Sequence, residues 1–138
     1  MNSLIANRID RIRQSLAKTD VDALMVSVQE NRYYLSGFTG EDTQFDESAG
    51  VLIISDRNLI LATDSRFTLQ AEAEADGYDI VCYKKGLEKE LPGIVESLGI
   101  RRLGFESARV SHKNFAAYTK SLDEANSRAA LIPTTDMV

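Results

Sequence analysis

Apolar residues recur along this chain in two patterns, one with helical spacing and one with short unbroken runs. Helical spacing appears first near the N-terminus, in the apolar residues Leu4, Ile5, Ile9, Ile12 and Leu16. Because residues three and four positions apart share one helix face, this spacing predicts an amphipathic helix with Ser3 as its N-cap. That helix is expected to pack on the rest of the domain through its apolar face.

The second pattern consists of short apolar runs, which are typical of strands that are covered on both faces. Runs of this kind occupy residues 23–28, 51–54 and 59–62, and residues 78–83, 102–105 and 129–132 also predict short strands. The polar tetrad at 55–58, between the second and third runs, predicts a tight turn. The two runs that flank it are therefore expected to form an antiparallel hairpin.

Capping and stop signals predict further helices between these strands. The helices and their boundary residues are 66–76 after Thr63-Asp64-Ser65 and before Gly77, 87–98 before Gly99, and 112–122 after the cap Ser111. Pro92 is compatible with the second of these helices only in its first turn. Helices that alternate with strands, interrupted by one hairpin, predict a three-layer α/β/α domain over residues 1–138, with a mixed sheet of about six strands.

Residues 30–40, directly after the first strand, combine an amide, a guanidinium, three aromatic rings and two glycines. The pattern predicts a single helical turn in which Tyr34 and Leu35 pack inward and Gly37 is the left-handed residue that ends the turn. Segments positioned by a rigid scaffold often carry binding groups, so this stretch is also a candidate functional surface. The next segment, 41–48, holds four acids without a period, and we interpret it as an exposed loop.

The charge of the chain argues against a nucleic-acid partner. Its formal net charge is -5, and no cluster of lysines and arginines supplies the cations on which phosphate binding depends. The single cysteine, Cys82, excludes an internal disulfide and favours a cytoplasmic location. The sequence shows no signal peptide and no segment long enough to span a bilayer, so no membrane partner is expected.

The usual motifs of catalytic and ligand-binding sites do not occur in the sequence. His112 is the one histidine, and we expect it to be a partly exposed first-turn residue rather than a zinc ligand. Cys82 lies in an apolar strand, which favours a small buried hydrophobe over a nucleophile. The acids at 41, 42, 46 and 47 lack the turn glycine and the spacing of a calcium loop. Neither a phosphate-binding glycine loop nor a Gly-x-Ser-x-Gly elbow is present, so the residues predict no catalytic centre, metal site or cofactor.

Two charged positions are candidates for contact with a partner. Arg66 falls in the first turn of a predicted helix, where the macrodipole disfavours a cation. Either Asp64 neutralises it, or Arg66 points outward to a carboxylate of a partner or ligand. Glu106 is either an ordinary charged residue at a strand end or a site residue that follows a central strand.

Three short motifs, in order, resemble those of a known family. They are Asn31-Arg32-Tyr33-Tyr34-Leu35-Ser36-Gly37-Phe38 against Asn-hydrophobic-Arg-Tyr-Leu-Thr-Gly-Phe, Thr63-Asp64-Ser65-Arg66-Phe67 against Thr-Asp-Gly-Arg-Tyr, and Leu103-Gly104-Phe105-Glu106 against Leu-Gly-Phe-Glu. The chain thereby resembles, over essentially its whole length, the N-terminal domain of the creatinase, prolidase and Xaa-Pro aminopeptidase family of pita-bread metallopeptidases. Its first motif carries Arg32-Tyr33-Tyr34 where the family has a hydrophobic residue, Arg and Tyr, which leaves open whether Asn31 or Arg32 takes the family role. Phe67 lacks the tyrosine hydroxyl of the second motif.

The resemblance implies the same three-layer fold, with a ribonuclease-H-like motif, and no catalytic residue in this chain. The family's metal ligands belong to a C-terminal catalytic domain, which would hold a pair of divalent manganese, cobalt or zinc ions and which is absent from this chain. The N-terminal domain is expected to contribute to a homodimer and to lean over the active-site mouth, restricting substrates to short peptides with proline second. The residues expected to face the partner or substrate are Asn31, Arg32, Tyr33, Tyr34, Phe38, Asp64, Arg66 and Glu106.

Three other functions stay open at the level of sequence. A stand-alone binding module of the same fold would keep the aromatic residues exposed. A creatinase-like C–N hydrolase acting on a small guanidino compound would share this N-terminal domain. A nuclease of ribonuclease-H type would need acids at strand centres, whereas the first strand at 23–28 has none and the net charge opposes a polyanion.

Overall fold

The computed structural model describes residues 1–44 and 47–138, which form one β-sheet with helices on both faces. The elements are α1 Ser3–Ala17, β1 Ala23–Val26, α2 Gln29–Ser36, β2 Val51–Ser55, β3 Leu59–Thr63, α3 Thr68–Glu74, β4 Asp79–Cys82, α4 Leu87–Leu98, β5 Arg102–Glu106, α5 His112–Glu124 and β6 Ala130–Thr134. The predicted strands and helices are therefore confirmed in kind and in order. No helix in the described residues has the length and hydropathy that crossing a bilayer would need.

The six strands are arranged in the order β4-β3-β2-β1-β5-β6. Strand β2 runs antiparallel to both of its neighbours, β1 and β3, and every other neighbouring pair is parallel. This confirms the mixed sheet and the predicted hairpin, which is formed by β2 and β3. Because only β2 is reversed, the carboxyl ends of the other five strands lie at one edge of the sheet, which we call the carboxyl edge.

Side chains that alternate along the strands pack into two separate cores, one on each face of the sheet. In β1, Leu24 and Val26 pack into one core while Ala23 and Met25 pack into the other. The first core is covered by α1, α2 and α3, and the second by α4 and α5. All four residues of β1 are fully buried, as its unbroken apolar run predicts for a strand that is covered on both faces. The three-layer arrangement follows from this double covering.

Three predicted helix features are wrong in detail. The N-cap of α1 is Asn2 rather than Ser3, because the Asn2 side-chain oxygen accepts the hydrogen bond from the Ile5 backbone N–H at 2.8 Å. Helix α3 begins at Thr68 instead of residue 66. Pro92 lies at the sixth position of α4, in its second turn, where its missing N–H removes one helical hydrogen bond.

The stretch at 30–40 is more ordered than the sequence predicts. Helix α2 contains eight residues rather than a single turn, and Gly37 ends it in the left-handed conformation at φ 82° as predicted. Leu35 is fully buried, but Tyr34 remains 39% exposed, so its predicted inward packing is wrong. The reason is that the Tyr34 ring lies against the Arg8 guanidinium, 4.0 Å from the ring centroid, on the surface between α1 and α2.

The segment at 41–48 is only partly an exposed loop. Glu41, Thr43, Gln44 and Glu47 are exposed as predicted, and Phe45 and Asp46 lie outside the described residues. Asp42 departs from the prediction, because its side chain is only 5% exposed. This acid is held inside the domain by charged partners.

Candidate functional site

The eight residues predicted to face a partner or substrate all belong to segments at the carboxyl edge. Asn31, Arg32, Tyr33, Tyr34 and Phe38 follow β1, Asp64 and Arg66 follow β3, and Glu106 ends β5. The three motifs that are distant in sequence therefore meet at one side of the sheet. Their side chains, however, have quite different surroundings.

Glu106 fixes the turn between β1 and α2. One carboxylate oxygen, Oε1, accepts hydrogen bonds from the backbone N–H groups of Ser27 and Val28 at 2.6 and 2.8 Å, and Oε2 accepts from Asn31 Nδ2 at 2.6 Å. Val28 is the N-cap of α2 and makes no side-chain capping bond of its own. A carboxylate at a helix N-terminus is stabilised by the helix dipole, so Glu106 takes the place of a local cap.

Arg32 forms a fully buried ion pair. Its side chain is 0% exposed, and its two terminal nitrogens bind the two oxygens of Asp42, at 2.9 Å for Nη2 to Oδ1 and 3.1 Å for Nη1 to Oδ2. The same nitrogens donate to the backbone carbonyls of Ser27 and Gly40 at 3.0 Å each. This two-pronged geometry uses both terminal nitrogens of the planar guanidinium, while the buried Nε has no hydrogen-bond partner among the described residues. It ties α2 to the loop that follows it.

Asp42 connects Arg32 with a second arginine. Its Oδ2 also accepts from Arg109 Nη2 at 3.0 Å, and its Oδ1 accepts from the Ala49 backbone N–H at 2.8 Å. The Asp42 backbone N–H in turn donates to the Gln29 side chain at 2.9 Å. One buried carboxylate thus joins α2, the loop before β2 and the segment after β5. We call Arg32, Asp42 and Arg109 the charged cluster.

Arg66 is paired with Asp64, as the first alternative for this residue predicts, and contact with a carboxylate of a partner stays a prediction. Its Nε and Nη2 donate to Asp64 Oδ1 and Oδ2 at 3.0 and 2.7 Å, while its side chain stays 65% exposed. The predicted conflict with a helix dipole does not arise, because Arg66 precedes the first residue of α3, Thr68. The outer surface of this guanidinium is accessible to a partner.

The ion pair with Arg66 holds the pKa of Asp64 below its ordinary value, chiefly through the side-chain hydrogen bonds and against the opposing effect of partial burial. A carboxyl pKa lowered by folding stabilises the fold above the unfolded pKa of about 3.9, and that contribution is lost as the pH falls through the lower folded value.

Replacing Arg66 with alanine is therefore expected to raise the pKa of Asp64 towards the unfolded value. Titration of the Asp64 carboxyl carbon by NMR measures this. Arg57→Ala, in the exposed β2–β3 turn, is the matched control, and an Asp64 pKa that Arg66→Ala leaves unmoved contradicts the expectation.

The eight predicted residues divide into a surface group and a buried group. Tyr33, Tyr34 and Arg66 are exposed, with 58% exposure for Tyr33. Arg32 and Phe38 are 0% and 1% exposed, which corrects their assignment as partner-facing residues. Arg32 is enclosed by its ion pair, and Phe38 packs edge-on against Phe67 with ring centroids 6.2 Å apart.

Asn31, Asp64 and Glu106 are half-buried and bind neighbours within the domain. Sequence reasoning left open whether Asn31 or Arg32 takes the family role. In the structure Arg32 is enclosed, and Asn31 is held by Glu106. Asp42 and Arg109 were not among the predicted residues. No local signal identifies them, since both sit in segments without periodicity.

No group of three or more His, Cys, Asp or Glu side chains that could hold a metal ion is found in residues 1–44 and 47–138. His112 is exposed at the start of α5, next to its N-cap Ser111. Cys82 is half-buried in β4. The metal pair implied by the resemblance therefore has no ligand set among these residues, and no chemical step is assigned to them.

Comparison with known proteins identifies the domain. The family model described as "Creatinase/Prolidase N-terminal domain" matches residues 8–138. An uncharacterized peptidase of Bacillus subtilis (strain 168), YqhT, is 29% identical over 131 residues, which are 95% of this chain and 34% of the relative. The chain thus spans about a third of the length of that peptidase.

Solved structures give the same result. An Xaa-Pro dipeptidase from Bacillus anthracis matches with a TM-score of 0.83 and 28% identity, over 96% of this chain and 34% of its own. An Xaa-Pro aminopeptidase structure from Streptococcus pyogenes matches with a TM-score of 0.83 and 30% identity, over 100% of this chain and 97% of its own. These matches confirm the resemblance carried by the three motifs and the fold that it implied. The chain belongs to the creatinase/prolidase N-terminal domain family.

Proposed function

We propose that this chain serves as the non-catalytic N-terminal domain of a metal-dependent Xaa-Pro peptidase, an aminopeptidase or dipeptidase. The observation that carries the proposal is that 95% of the chain aligns with only 34% of a peptidase. The remaining length of such a protein would supply the catalytic domain and its pair of divalent metal ions, manganese, cobalt or zinc. Its partners are that catalytic domain, a second subunit, and short proline-containing peptides. The lone cysteine favours a cytoplasmic location for the protein.

The carboxyl edge is the surface through which the domain would act. Tyr33 and Arg66 are exposed there, Tyr33 on helix α2 and Arg66 in the turn before α3. A tyrosine ring offers a large contact area at low entropic cost, and an exposed guanidinium can bind a carboxylate. Placed over an active-site mouth, these two side chains would exclude long peptides by steric contact and orient short ones by charge.

A creatinase-like C–N hydrolase is the second candidate for the parent enzyme. The description of the matched family names creatinase as well as prolidase, so the domain itself is compatible with both activities. The relatives described above are peptidases by name, which favours the first candidate. A stand-alone binding module would use the same exposed side chains without a catalytic domain.

A chimera tests the proposed function. The N-terminal third of the B. anthracis dipeptidase is replaced by this chain, and kcat/KM for Xaa-Pro dipeptides and for longer peptides is measured in the presence of manganese. We expect hydrolysis by the chimera and none by the isolated chain. Tyr33→Ala and Arg66→Ala should each lower the preference for short peptides about three- to tenfold, equivalent to roughly 1 kcal/mol of transition-state stabilisation.

Arg57→Ala is the matched control, because Arg57 is also an exposed arginine, 88% against 65% for Arg66, and lies at the opposite end of the strands. It should leave the preference unchanged. The catalytic two-thirds of the dipeptidase alone serves as the second reference. If it shows the same rate and peptide preference as the chimera, this domain does not cover the active site.

A further inference from the structure

The two outer strands of the sheet, β6 and β4, differ in whether the backbone groups along their outer sides can pair with another strand. In β6 the Ala130 N–H donates to the Arg101 carbonyl at 2.8 Å, and the Thr134 carbonyl accepts from Ser107. Backbone groups of alternate residues point to the same side of a strand, so those of Leu131 and Pro133 point outward. Proline has no N–H to offer. The outer edge of β6 is therefore protected against pairing with another strand.

Strand β4 carries no proline at its outward-facing positions. The Tyr83 N–H, directly after β4, donates to the Thr63 carbonyl of β3 at 2.9 Å. The same alternation then directs the N–H and C=O groups of Ile80 and Cys82 away from the sheet. Within residues 1–44 and 47–138 no strand pairs with this side of β4. An unpaired edge of this kind is a template for another strand.

The sequence around β4 is complementary to itself. Asp79 begins the strand and is exposed, while Lys84 and Lys85, also exposed, follow it. Two copies of this strand that run antiparallel bring the acid of each near the lysines of the other. Parallel pairing would instead place like charges side by side. Cross-strand and diagonal charge pairs on a sheet are stabilising when their signs are opposite.

We propose that two copies of the chain associate through the outer edges of β4, antiparallel and related by a two-fold axis at Val81. In this register Ile80 of each copy lies opposite Cys82 of the other, so all of their outward N–H and C=O groups are paired. Val81 faces the Val81 of the second copy, and Asp79 reaches Lys85 on the diagonal. A two-fold axis makes the contact closed and self-complementary. The proposal needs no catalytic domain and stands apart from the peptidase assignment.

The experiment measures the dimer dissociation constant by sedimentation over a series from micromolar to millimolar chain concentration. Cys82→Pro removes an outward N–H from β4, as Pro133 does in β6, and should raise the constant at least tenfold, whereas Cys82→Ser keeps the N–H and should leave it unchanged. Asp79→Lys should raise it about threefold to tenfold, and adding Lys85→Asp should restore the original value. A chain that stays monomeric throughout, or a constant that Asp79→Lys leaves unmoved, overturns the proposal.

A second measurement on the unaltered chain covers the case in which Cys82→Pro does not fold. Amide exchange at Ile80 and Cys82 should slow as the concentration rises, while the exposed turn at 56–58 keeps its rate. Unchanged exchange at those two amides in a sample that sediments as a dimer places the contact elsewhere. A dissociation constant raised by Tyr33→Ala instead would assign the contact to the carboxyl edge. Neither result depends on whether the chimera hydrolyses peptides.

Discussion

Replacing Asp42 with alanine is expected to lower the free energy of unfolding by about 3 to 5 kcal/mol. The change removes the carboxylate that neutralises Arg32, a side chain with no exposed surface, and leaves its charge with two backbone carbonyls. It also removes a partner of Arg109 and the acceptor for the Ala49 N–H. Breaking a buried ion pair on one side costs far more than breaking an exposed one, because water cannot reach the charge that remains.

Urea unfolding of Asp42→Ala measures this loss, and Asp56→Ala is the matched control. Asp56 is also an aspartate with an arginine neighbour, Arg57, but both side chains are more than four-fifths exposed and their nearest charged atoms are 3.9 Å apart. The control should change stability by less than about 1 kcal/mol. Equal effects for the two variants would show that the charged cluster does not hold the loop to α2.

Replacing Glu106 with alanine should lower the free energy of unfolding by about 2 to 3 kcal/mol. The carboxylate accepts three hydrogen bonds, from two backbone N–H groups and from Asn31, and the change takes this acceptor from all three donors. Glu106→Gln should cost about half as much, because the remaining oxygen can still accept from Ser27 and Val28 while the new amide faces the Asn31 amide donor to donor. The free energy of unfolding should therefore be lowest for the alanine variant, intermediate for the glutamine variant and highest for the unaltered chain. This order is specific to the arrangement.

Glu124→Ala is the control for Glu106, since the pair that Glu124 forms with Lys120, at 3.9 Å, is exposed. Its effect on urea unfolding should fall within about 0.5 kcal/mol. Loss of the Glu106 carboxylate should also speed amide exchange at Ser27 and Val28, which report on the β1–α2 turn directly. If Glu106→Ala and Glu124→Ala give the same unfolding free energy and the same amide exchange, the β1–α2 turn is held by packing and not by the Glu106 carboxylate.

Much of the fold follows from local patterns in the sequence. Burial on both faces leaves unbroken apolar runs, so the strands at 23–26 and 51–55 are visible without tertiary information. Gly37 and Ser111 also act as predicted, because their roles depend only on adjacent backbone groups. Helix α3 was placed too early for the opposite reason. Its cap-like Asp64 binds Arg66 in a turn before the helix, and spacing does not separate those two structures.

The site could be predicted only in part. The motifs name Asn31 and Glu106, but the two residues are 75 positions apart in sequence and meet only when β1 and β5 pair in the sheet. The buried ion pair of Arg32 and Asp42 was harder still to predict from the sequence. Charged residues in a polar stretch are normally solvated, and no periodicity marks the pair that the fold encloses. In the surface group, Tyr33 and Arg66 are exposed as their assignment requires, although Arg66 also pairs with Asp64 within the chain.

Pro133 sets the stoichiometry of any assembly that grows by strand addition. A sheet with two open edges can extend without limit, and each added copy exposes a new edge for the next. Here Pro133 removes an outward N–H from the β6 edge, so two molecules joined through β4 are left with outer edges that resist further pairing. Growth by strand addition would then end at two copies, and the domain could present the unpaired edge strand β4 without forming fibres.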